Sequence, residues 1–363
     1  MDTLEGLSKP TQEIHYVKAD ASDRIAPKIF IITMFSQEAT NWLSDESAIK
    51  FDRTIRVPGL SHGHEDVRYN AEMGYQVVNA ALSISALTLS PLFDLTKTYF
   101  ILSGIAGVNP KVATIGSVAL AKFAVQVDIQ LEFDRREIPE SWTTGYLPIG
   151  APSHGSFPSH FTGSEVFELN DKLRKLAISF ARGADLVDSG DAIANRALYA
   201  GSANGVFEAA ASQKPSIIEG DVTASNMFYH GRHLAEGFED LVKLYTSSQA
   251  QYTMTAMEDT GILSALLRAA VQERVDFTRI ILMRAGSNFD RSYCLDDNNI
   301  ISLPFVIDHG GFRPACRNLY LSGMKVVDGI LGSWDIFEKG VEADNYVGDV
   351  FGSLGGIPNI GRV

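Results

Sequence analysis

The sequence predicts an α/β protein with a central mixed, largely parallel sheet that is flanked by helices. Two continuous apolar runs, KIFIITMF at 28–35 and RIILMRA at 279–285, are typical of strands that are buried on both faces. Segments with apolar residues at helical spacing lie between the strands, as at 233–245. Because this alternation continues along the chain without a clear break, we expect one domain with insertions.

The first strand leads directly into a helix that carries an acidic residue near its start. Residues 1–27 are polar and unpatterned, which predicts a surface arm ahead of a domain at 28–363. In SQEATNWL, which follows the strand, Ser36 is a candidate N-cap and Glu38 lies in the first turn. An acid at this position can simply complement the helix dipole, so Glu38 also has a purely structural interpretation.

The following segments predict a strand-turn-helix unit and a second buried strand. Residues 67–90 contain a strand, a turn at Met73–Gly74 and a helix. The strand at 98–102 continues into the small residues SGIAGVNP at 103–110. Backbone N–H groups could approach a ligand closely there, although the segment could equally be a tight turn. Residues 115–133 predict one or two further strands.

The middle of the chain contains a long irregular segment. Residues 134–161 are rich in Pro, Gly, Ser, Trp and His, which predicts an insertion that serves as a lid or an interface. We expect helices at 165–182 and 318–337 and a strand at 215–218.

An acidic pair marks the junction between another strand and its helix. The strand at 252–256 ends before Met257, Glu258 and Asp259, and a helix begins at about Thr260. Ligands meet the protein at such junctions in α/β sheets, where a carboxylate pair can bind hydroxyl groups. The alternative is that both acids only cap the helix.

Three strand ends that carry polar residues are expected to meet at one edge of the sheet. They are MFSQEA after the first strand, TAMEDTG, and RAGSNFD after the run at 279–285. Since ligands lie at the carboxyl edge of open α/β sheets, this edge is the predicted binding site.

The net charge of −13 argues against an extended nucleic-acid or anionic-membrane surface. The most apolar windows are too short and interrupted to span a bilayer, and the N-terminus lacks a signal-peptide pattern. We therefore expect a cytoplasmic protein, or a secreted or vacuolar one if a leader has been removed.

The two cysteines, Cys294 and Cys316, fit two buried thiols better than one disulfide, although a disulfide stays open.

No cofactor or metal is expected from the sequence motifs. His62 and His64 could ligate a metal, but no clustered acid or cysteine completes a set. The segment SGIAGVNP lacks the G-x-G-x-x-G spacing of a dinucleotide site, which argues against a nicotinamide-dependent oxidoreductase.

The order of these motifs resembles the nucleoside phosphorylase/nucleosidase superfamily, in particular the bacterial methylthioadenosine/adenosylhomocysteine nucleosidases. The matching segments are KIFIITMFSQEA, EMGYQVVNAALSISAL, SGIAGV, IEGDVTASNMF, AMED and RAGSN. Over its whole length the chain resembles the fungal proteins labelled purine nucleoside permease, through TTGYLPIG, SNFDR and GSWDIFEKGV. The resemblance implies a single-domain nucleoside phosphorylase-like fold and a homo-oligomer. Because the sequence shows no membrane span, we interpret this family as enzymes or binding proteins.

The resemblance assigns a set of ligand-binding residues. Glu258, after Met257, matches the glutamate that binds the 2′ and 3′ hydroxyls of the ribose. Phe228 falls near the aromatic residue that stacks on the purine. The remaining candidates are the neighbours of Phe228 and the backbone that touches the base: Asn226, Tyr229, Ala106 and Gly107.

The resemblance also implies cleavage of the N-glycosidic bond of a purine nucleoside. Glu38 matches the carboxylate that positions the attacking water. Asn288 stands where the nucleosidases have an aspartic acid that protonates or hydrogen-bonds purine N7. Because an amide cannot transfer a proton, Asp290 is the alternative acid. The trimeric phosphorylases also have an asparagine, so inosine and guanosine are as plausible as adenosine.

We expect an enzyme, either an N-ribosyl hydrolase or a pentosyltransferase that uses phosphate, with hydrolysis favoured. The first loop offers no cation for phosphate, and Arg53, Arg56, Arg68 and Arg135 lie elsewhere in the sequence. The alternative class is a non-catalytic nucleoside-binding protein, which would need Phe228 and Glu258 but would give Glu38 no role.

Overall fold

The long strand at 99–108 is the axis of the sheet in the structure, a computed structural model that describes residues 24–44, 47–49, 54–61, 66–67, 70–293 and 309–360. Most of the predicted arm, both candidate metal-ligating histidines and Cys294 lie outside the described residues. The division into an arm, a domain at 28–363 and an insertion at 134–161 stays a prediction.

The described residues form strands and helices that alternate along the chain. The strands are β1 (Ile29–Thr33), β2 (Ile55–Arg56), β3 (Asp66–Val67), β4 (Asn70–Glu72), β5 (Tyr99–Val108), β6 (Val118–Ala121), β7 (Phe123–Gln126), β8 (Gln130–Glu132), β9 (Tyr146–Pro148), β10 (Val166–Glu168), β11 (Ile217–Glu219), β12 (Asp221–Ala224), β13 (Tyr252–Ala256), β14 (Ile280–Phe289) and β15 (Gly348–Asp349). The helices are α1 (Ser36–Leu43), α2 (Gln76–Leu89), α3 (Asp171–Ala181), α4 (Gly190–Ala197), α5 (Glu208–Ser212), α6 (Arg232–Tyr245), α7 (Asp259–Val271), α8 (Phe312–Gly332) and α9 (Trp334–Phe337).

One large mixed sheet organises these elements, and its strands follow the order β11-β6-β14-β5-β13-β12-β7-β10-β15, with β1 and β4 attached through β5. β5 pairs in parallel with β1 and with β14, and β12 pairs in parallel with β13 and β7. The antiparallel pairs are β13 with β5, β14 with β6, β10 with β7, and β10 with β15. The predicted fold class, a mixed and largely parallel sheet flanked by helices, is confirmed.

Alternate residues of the central strands pack on opposite faces of the sheet. Phe100 and Leu102 belong to the apolar cluster that contains α2 and α7 residues, whereas Tyr99 and Ile101 belong to the cluster beneath α8. This period of two is the geometry of a strand that is buried on both faces, which explains why the sequence runs are continuously apolar.

Several element predictions need correction at their boundaries. The small residues at 103–110 were expected to form a loop or turn, but β5 continues through them to Val108 because β14 pairs with it over its whole length. The helix predicted at 165–182 divides into β10 and α3. Phe35, not Ser36, precedes the first turn of α1, and its side chain makes no cap hydrogen bond.

The structure also bears on the membrane question. Within the described ranges, no helix has both the length and the apolar composition that are needed to cross a bilayer.

Candidate functional site

A cavity of about 570 Å³ lies at the carboxyl ends of the central strands. The predicted convergence of the three strand ends is therefore present, since residues after β1, β13 and within the end of β14 all face it. Its lining consists of Phe35, Gln37, Glu38, Tyr75, Ile105, Ala106, Gly107, Met227, Phe228, Tyr229, Thr255, Ala256, Met257, Glu258, Arg284, Ser287, Asn288, His309 and Phe312.

A buried ion cluster forms one wall of the cavity. The Nε of Arg284 lies 3.1 Å from both carboxylate oxygens of Asp259, and its Nη2 lies 2.5 Å from Asp259 Oδ1 and 3.3 Å from Glu258 Oε2. The backbone N–H of Gln76 donates to Glu258 Oε1 at 3.3 Å. Because both contacts to Glu258 are long, its lone pairs can still accept hydrogen bonds from a ligand.

Glu38 occupies the floor of the cavity in a tighter setting. Its Oε2 accepts the backbone N–H of Met34 and its Oε1 accepts that of Ile105, both at 2.7 Å. The neighbouring position must be glycine, since a Cβ on Gly104 would lie 2.1 Å from Arg284 Nη1 and 3.2 Å from Glu38 Oε1. The close approach of β5 to Arg284 therefore holds the floor and the ion cluster together.

The ionisation of the acidic groups is shifted by this burial. Removal from water raises the pKa of Glu38 to about 8, against the opposing attraction of Arg284. Burial likewise raises the pKa of Glu258, with Arg284 opposing and Asp259 reinforcing the shift. Burial alone would lower the pKa of Arg284, but the adjacent carboxylates of Asp259 and Glu258 raise it, so the guanidinium stays charged.

Aromatic rings line two sides of the cavity. Phe35 stacks on Tyr75 with a centroid distance of 5.0 Å and lies 6.4 Å from Phe312. On another side, the ring of Phe228 is 60% exposed, so a ligand could cover it. Tyr229 is fixed beside it through its hydroxyl, which contacts Thr223 Oγ1 at 2.7 Å.

Polar groups at the ends of β5 and β14 complete the lining. Ser287 Oγ donates to the carbonyl of Ala106 at 3.1 Å and lies 3.0 Å from Asn288 Oδ1. Asn288 Nδ2 donates to the carbonyl of Phe289 at 3.0 Å. Gly107 lies against Thr255, whose hydroxyl would be 2.4 Å from an added Cβ. This edge can thus offer both donors and acceptors to a flat heterocycle.

The structure brings most of the predicted site residues together, but two lie outside the lining. Asp290 is buried away from the cavity, where its oxygens accept from Arg291 at 2.8 and 2.9 Å and from Tyr252 at 2.8 Å. These contacts explain why Asp290 does not face a ligand as the alternative acid would. Asn226 is exposed, and its backbone N–H donates to Asp128 Oδ2 at 2.7 Å.

Sequence reasoning missed Arg284 and the first aromatic group. An arginine inside the apolar run RIILMRA was a usable signal, because a buried cation requires a buried acidic partner. Of the arginines considered for phosphate, Arg56 and Arg135 are not in the lining, while Arg53 and Arg68 lie outside the described residues. The rings of Phe35, Tyr75 and Phe312 gave no comparable signal, since nothing in the sequence relates three positions so far apart.

The fold and the site define an α/β protein with a cavity at the carboxyl edge of its sheet, and comparison with known proteins assigns the family. The family described as "Purine nucleoside permease (NUP)" matches residues 26–342. A purine nucleoside permease of Candida albicans is 37% identical over 350 residues, covering 93% of this chain and 83% of the relative. A probable purine nucleoside permease of Schizosaccharomyces pombe is 34% identical over 325 residues, covering 85% and 90%. The chain belongs to the purine nucleoside permease family, which confirms the resemblance seen in the sequence.

Solved structures with a similar arrangement include two proteins of Helicobacter pylori. A 5′-methylthioadenosine/S-adenosyl homocysteine nucleosidase matches with a TM-score of 0.48 and 15% identity, covering 83% of this chain and 97% of that one. A futalosine hydrolase matches with a TM-score of 0.47 and 15% identity, covering 85% and 99%.

The family assignment corrects the activity that was expected from the sequence. Cleavage of the N-glycosidic bond, by water or by phosphate, is contradicted because the curated relatives are named purine nucleoside permeases. A permease is named for moving its substrate, not for breaking a bond in it. The motifs that suggested a nucleosidase therefore describe the fold and the cavity, and they do not establish catalysis.

Proposed function

We propose that the chain binds an intact purine nucleoside in the cavity and so provides the recognition step of nucleoside permeation. One observation carries this proposal: a single cavity places the exposed ring of Phe228, the carboxylate of Glu258 and the polar edge at Asn288 around one volume. A purine nucleoside needs these three surfaces, for its π face, its ribose hydroxyls and the edge of its base. The volume of about 570 Å³ is in the usual range for small-molecule sites.

The charges of the lining favour an uncharged ligand. Arg284 is the one arginine among the described lining residues, which include no lysine, and Asp259 and Glu258 already engage it. A phosphate group placed near it would meet those two carboxylates and Glu38. We therefore infer that a nucleoside is preferred over a nucleotide, and that inorganic phosphate, a ligand suggested by the resemblance, binds weakly.

Binding can be tested by calorimetric titration of the whole chain with inosine, guanosine and adenosine. Uridine, free ribose and free purine base are the comparison ligands, and a nucleoside should bind more tightly than either of its two parts. After each titration, chromatography should return the nucleoside intact. Failure of all three purine nucleosides to bind, or release of free base, would overturn the proposal.

Glu258→Gln provides the sharpest test of the ribose contact. A hydrogen bond to a charged group contributes about 1.5–3 kcal/mol, so the variant should bind a purine nucleoside roughly 10- to 100-fold more weakly. The matched control is Glu342→Gln, which changes an exposed acid outside the cavity lining and should leave the affinity unchanged. A control variant that lost affinity to the same extent would show that the effect of Glu258→Gln is not local.

The compartment is a separate inference. We place the chain in the cytoplasm, as expected from the sequence, where it would receive nucleosides that enter the cell. Fractionation of cells that express the full chain tests this placement, and recovery only from the medium or the vacuole would contradict it.

A further inference from the structure

The buried charges around the cavity floor do not balance. Glu38, Glu258 and Asp259 are 2%, 4% and 0% exposed, and they surround Arg284, which is 1% exposed. Three buried carboxyl groups therefore lie in a region that holds one guanidinium and from which water is largely excluded. Because an uncompensated buried charge is strongly unfavourable, such a cluster retains protons that exposed acids would release.

The hydrogen bonds indicate which of the three carboxyl groups is best placed to hold a proton. Arg284 contacts Asp259 through two nitrogens and Glu258 through one, so these two acids are directly paired. Glu38 makes no ion pair among the described residues, and its two oxygens accept only backbone N–H groups. A proton on Glu38 would leave both of these hydrogen bonds in place, since each oxygen has a second lone-pair position.

Other titratable groups face Glu38 from each element that packs around it, and none replaces it as the proton carrier. Burial and the charges of Glu38 and Glu258 raise the pKa of Tyr75, which keeps its phenol protonated near neutral pH. Burial, reinforced by Glu38, raises the pKa of Cys316 in α8 to about 12. His309 also lines the cavity but makes no hydrogen bond or ion pair with Glu38 among the described residues, and Arg317 of α8 contacts Asn41 instead.

We propose that the cavity takes up a proton when it binds a purine nucleoside, and that the carboxylate of Glu38 is the group that accepts it. The inference rests on the proposed function, because the nucleoside is what displaces the remaining water from the cavity floor. Once that water is gone, the charged carboxylate loses its last solvation and the neutral acid is favoured. The proton comes from solvent and adds to one carboxylate oxygen, and no bond of the nucleoside breaks.

The sign of the linkage follows from the direction of this shift. Burial raises the pKa of Glu38 to about 8 in the free protein, and the further loss of water on binding should raise this pKa in the complex. Between these two values the free cavity is ionised and the occupied cavity is neutral, so binding consumes a proton. The affinity should therefore fall as the pH rises above about 8, by at most tenfold per pH unit for one proton.

Calorimetry in two buffers measures the proton directly. Titrations with inosine at about pH 8.5, in Tris and in a second buffer with a different ionisation enthalpy, should give binding heats that differ by the buffer contribution of roughly half a proton or more. Glu38→Gln, which keeps the size of the side chain but cannot titrate, should give equal heats in both buffers. Glu342→Gln is the control and should behave as the wild type does.

The outcomes separate this inference from the proposed function. If the wild type gives no binding heat with inosine in either buffer, and inosine does not compete with other nucleosides for the cavity, the proposed function fails. If the wild type binds with heats that are equal in both buffers, only the proton uptake is overturned. If Glu38→Gln folds, as shown by circular dichroism, and still takes up the same fraction of a proton, Glu38 is not the acceptor.

Discussion

The two glutamates that line the cavity differ in their capacity to bind a ligand, because their hydrogen-bond partners differ. Glu38 accepts two backbone N–H groups at 2.7 Å, whereas Glu258 has two longer contacts at 3.3 Å, one of them to Arg284. The first carboxyl group is fixed to the fold, and the second retains capacity for a ligand. Residue type alone therefore could not distinguish the two roles.

Phe228 is the residue at which a substitution should most clearly weaken ligand binding without changing the stability of the fold. Stacking of a base on an aromatic side chain contributes about 1–3 kcal/mol, so Phe228→Ala should weaken binding of a purine nucleoside by roughly 5- to 150-fold. Because the ring is 60% exposed, the free energy of unfolding should change by less than about 1 kcal/mol. Calorimetric titration and urea denaturation measure the two effects.

Phe351→Ala is the matched control for that variant. Phe351 is 58% exposed and is not part of the cavity lining, so its removal should leave the affinity for a purine nucleoside unchanged. Equal affinities for wild type and Phe228→Ala would exclude Phe228 as the stacking residue and would direct attention to Tyr229.

The sequence predicted individual cavity residues where a motif lies on one strand end. Met257 and Glu258 follow β13 directly, and Ala106 and Gly107 lie in β5, so their positions depend on local structure alone. Asp290 was misplaced because it follows the end of β14 at Phe289 and is held by Arg291 and by Tyr252 of β13, and the contact with Tyr252 is a tertiary one that sequence periodicity cannot reveal.

At the scale of elements, the pairing of β5 with β14 determines where the cavity floor lies. Continuous apolar runs were sufficient to predict both strands, but small residues concealed the second half of β5. Gly104 is required where β5 approaches the Arg284 side chain, and Gly107 where it approaches Thr255, and these are tertiary requirements that the local sequence does not contain. The division of 165–182 into β10 and α3 was missed for a related reason, since β10 is defined by its pairing with β7.

Gly104→Ala tests this close approach. The added methyl group would lie 2.1 Å from Nη1 and 2.8 Å from Cζ of Arg284, whose guanidinium is held by two carboxylates and by the carbonyl of Ile105. Overpacking of this kind costs about 1–3 kcal/mol of unfolding free energy, measurable by urea denaturation.

Gly190→Ala serves as the comparison, because a Cβ there meets no atom within 4 Å and the residue begins α4. That variant should be neutral or slightly stabilising. If both variants had the same stability, the spacing between β5 and Arg284 would not constrain position 104.

At the scale of the whole molecule, the family name, purine nucleoside permease, and the nucleosidase-like motifs of the sequence point to different activities. The order of motifs was sufficient to predict the fold class and the family, because both depend on the succession of strands and helices. The activity was wrong because a cavity that binds a nucleoside and one that cleaves it require many of the same residue types. The homo-oligomer stays a prediction, since the structure describes one chain.

Burial of Glu38 also makes the stability of the whole chain depend on pH. Its pKa is about 8 in the folded protein and 4.5 ordinarily, so between these values the folded state holds a proton that the unfolded state has released. Unfolding then releases a proton, and the free energy of unfolding should fall as the pH rises from about 5 to 8. The fall due to this residue is on the order of 4 kcal/mol, and it ends above pH 8, where both states are ionised.

Urea denaturation of the nucleoside-free protein across this pH range measures the effect. Glu38→Gln should remove most of the decline, because the amide does not titrate, while Glu342→Gln should retain it. A wild-type stability that stayed constant or rose between pH 5 and 8, with the same profile in Glu38→Gln, would show that the cavity floor keeps the carboxylate charged. In that case Arg284 and the two backbone N–H groups that donate to Glu38 would be sufficient to stabilise its charged carboxylate.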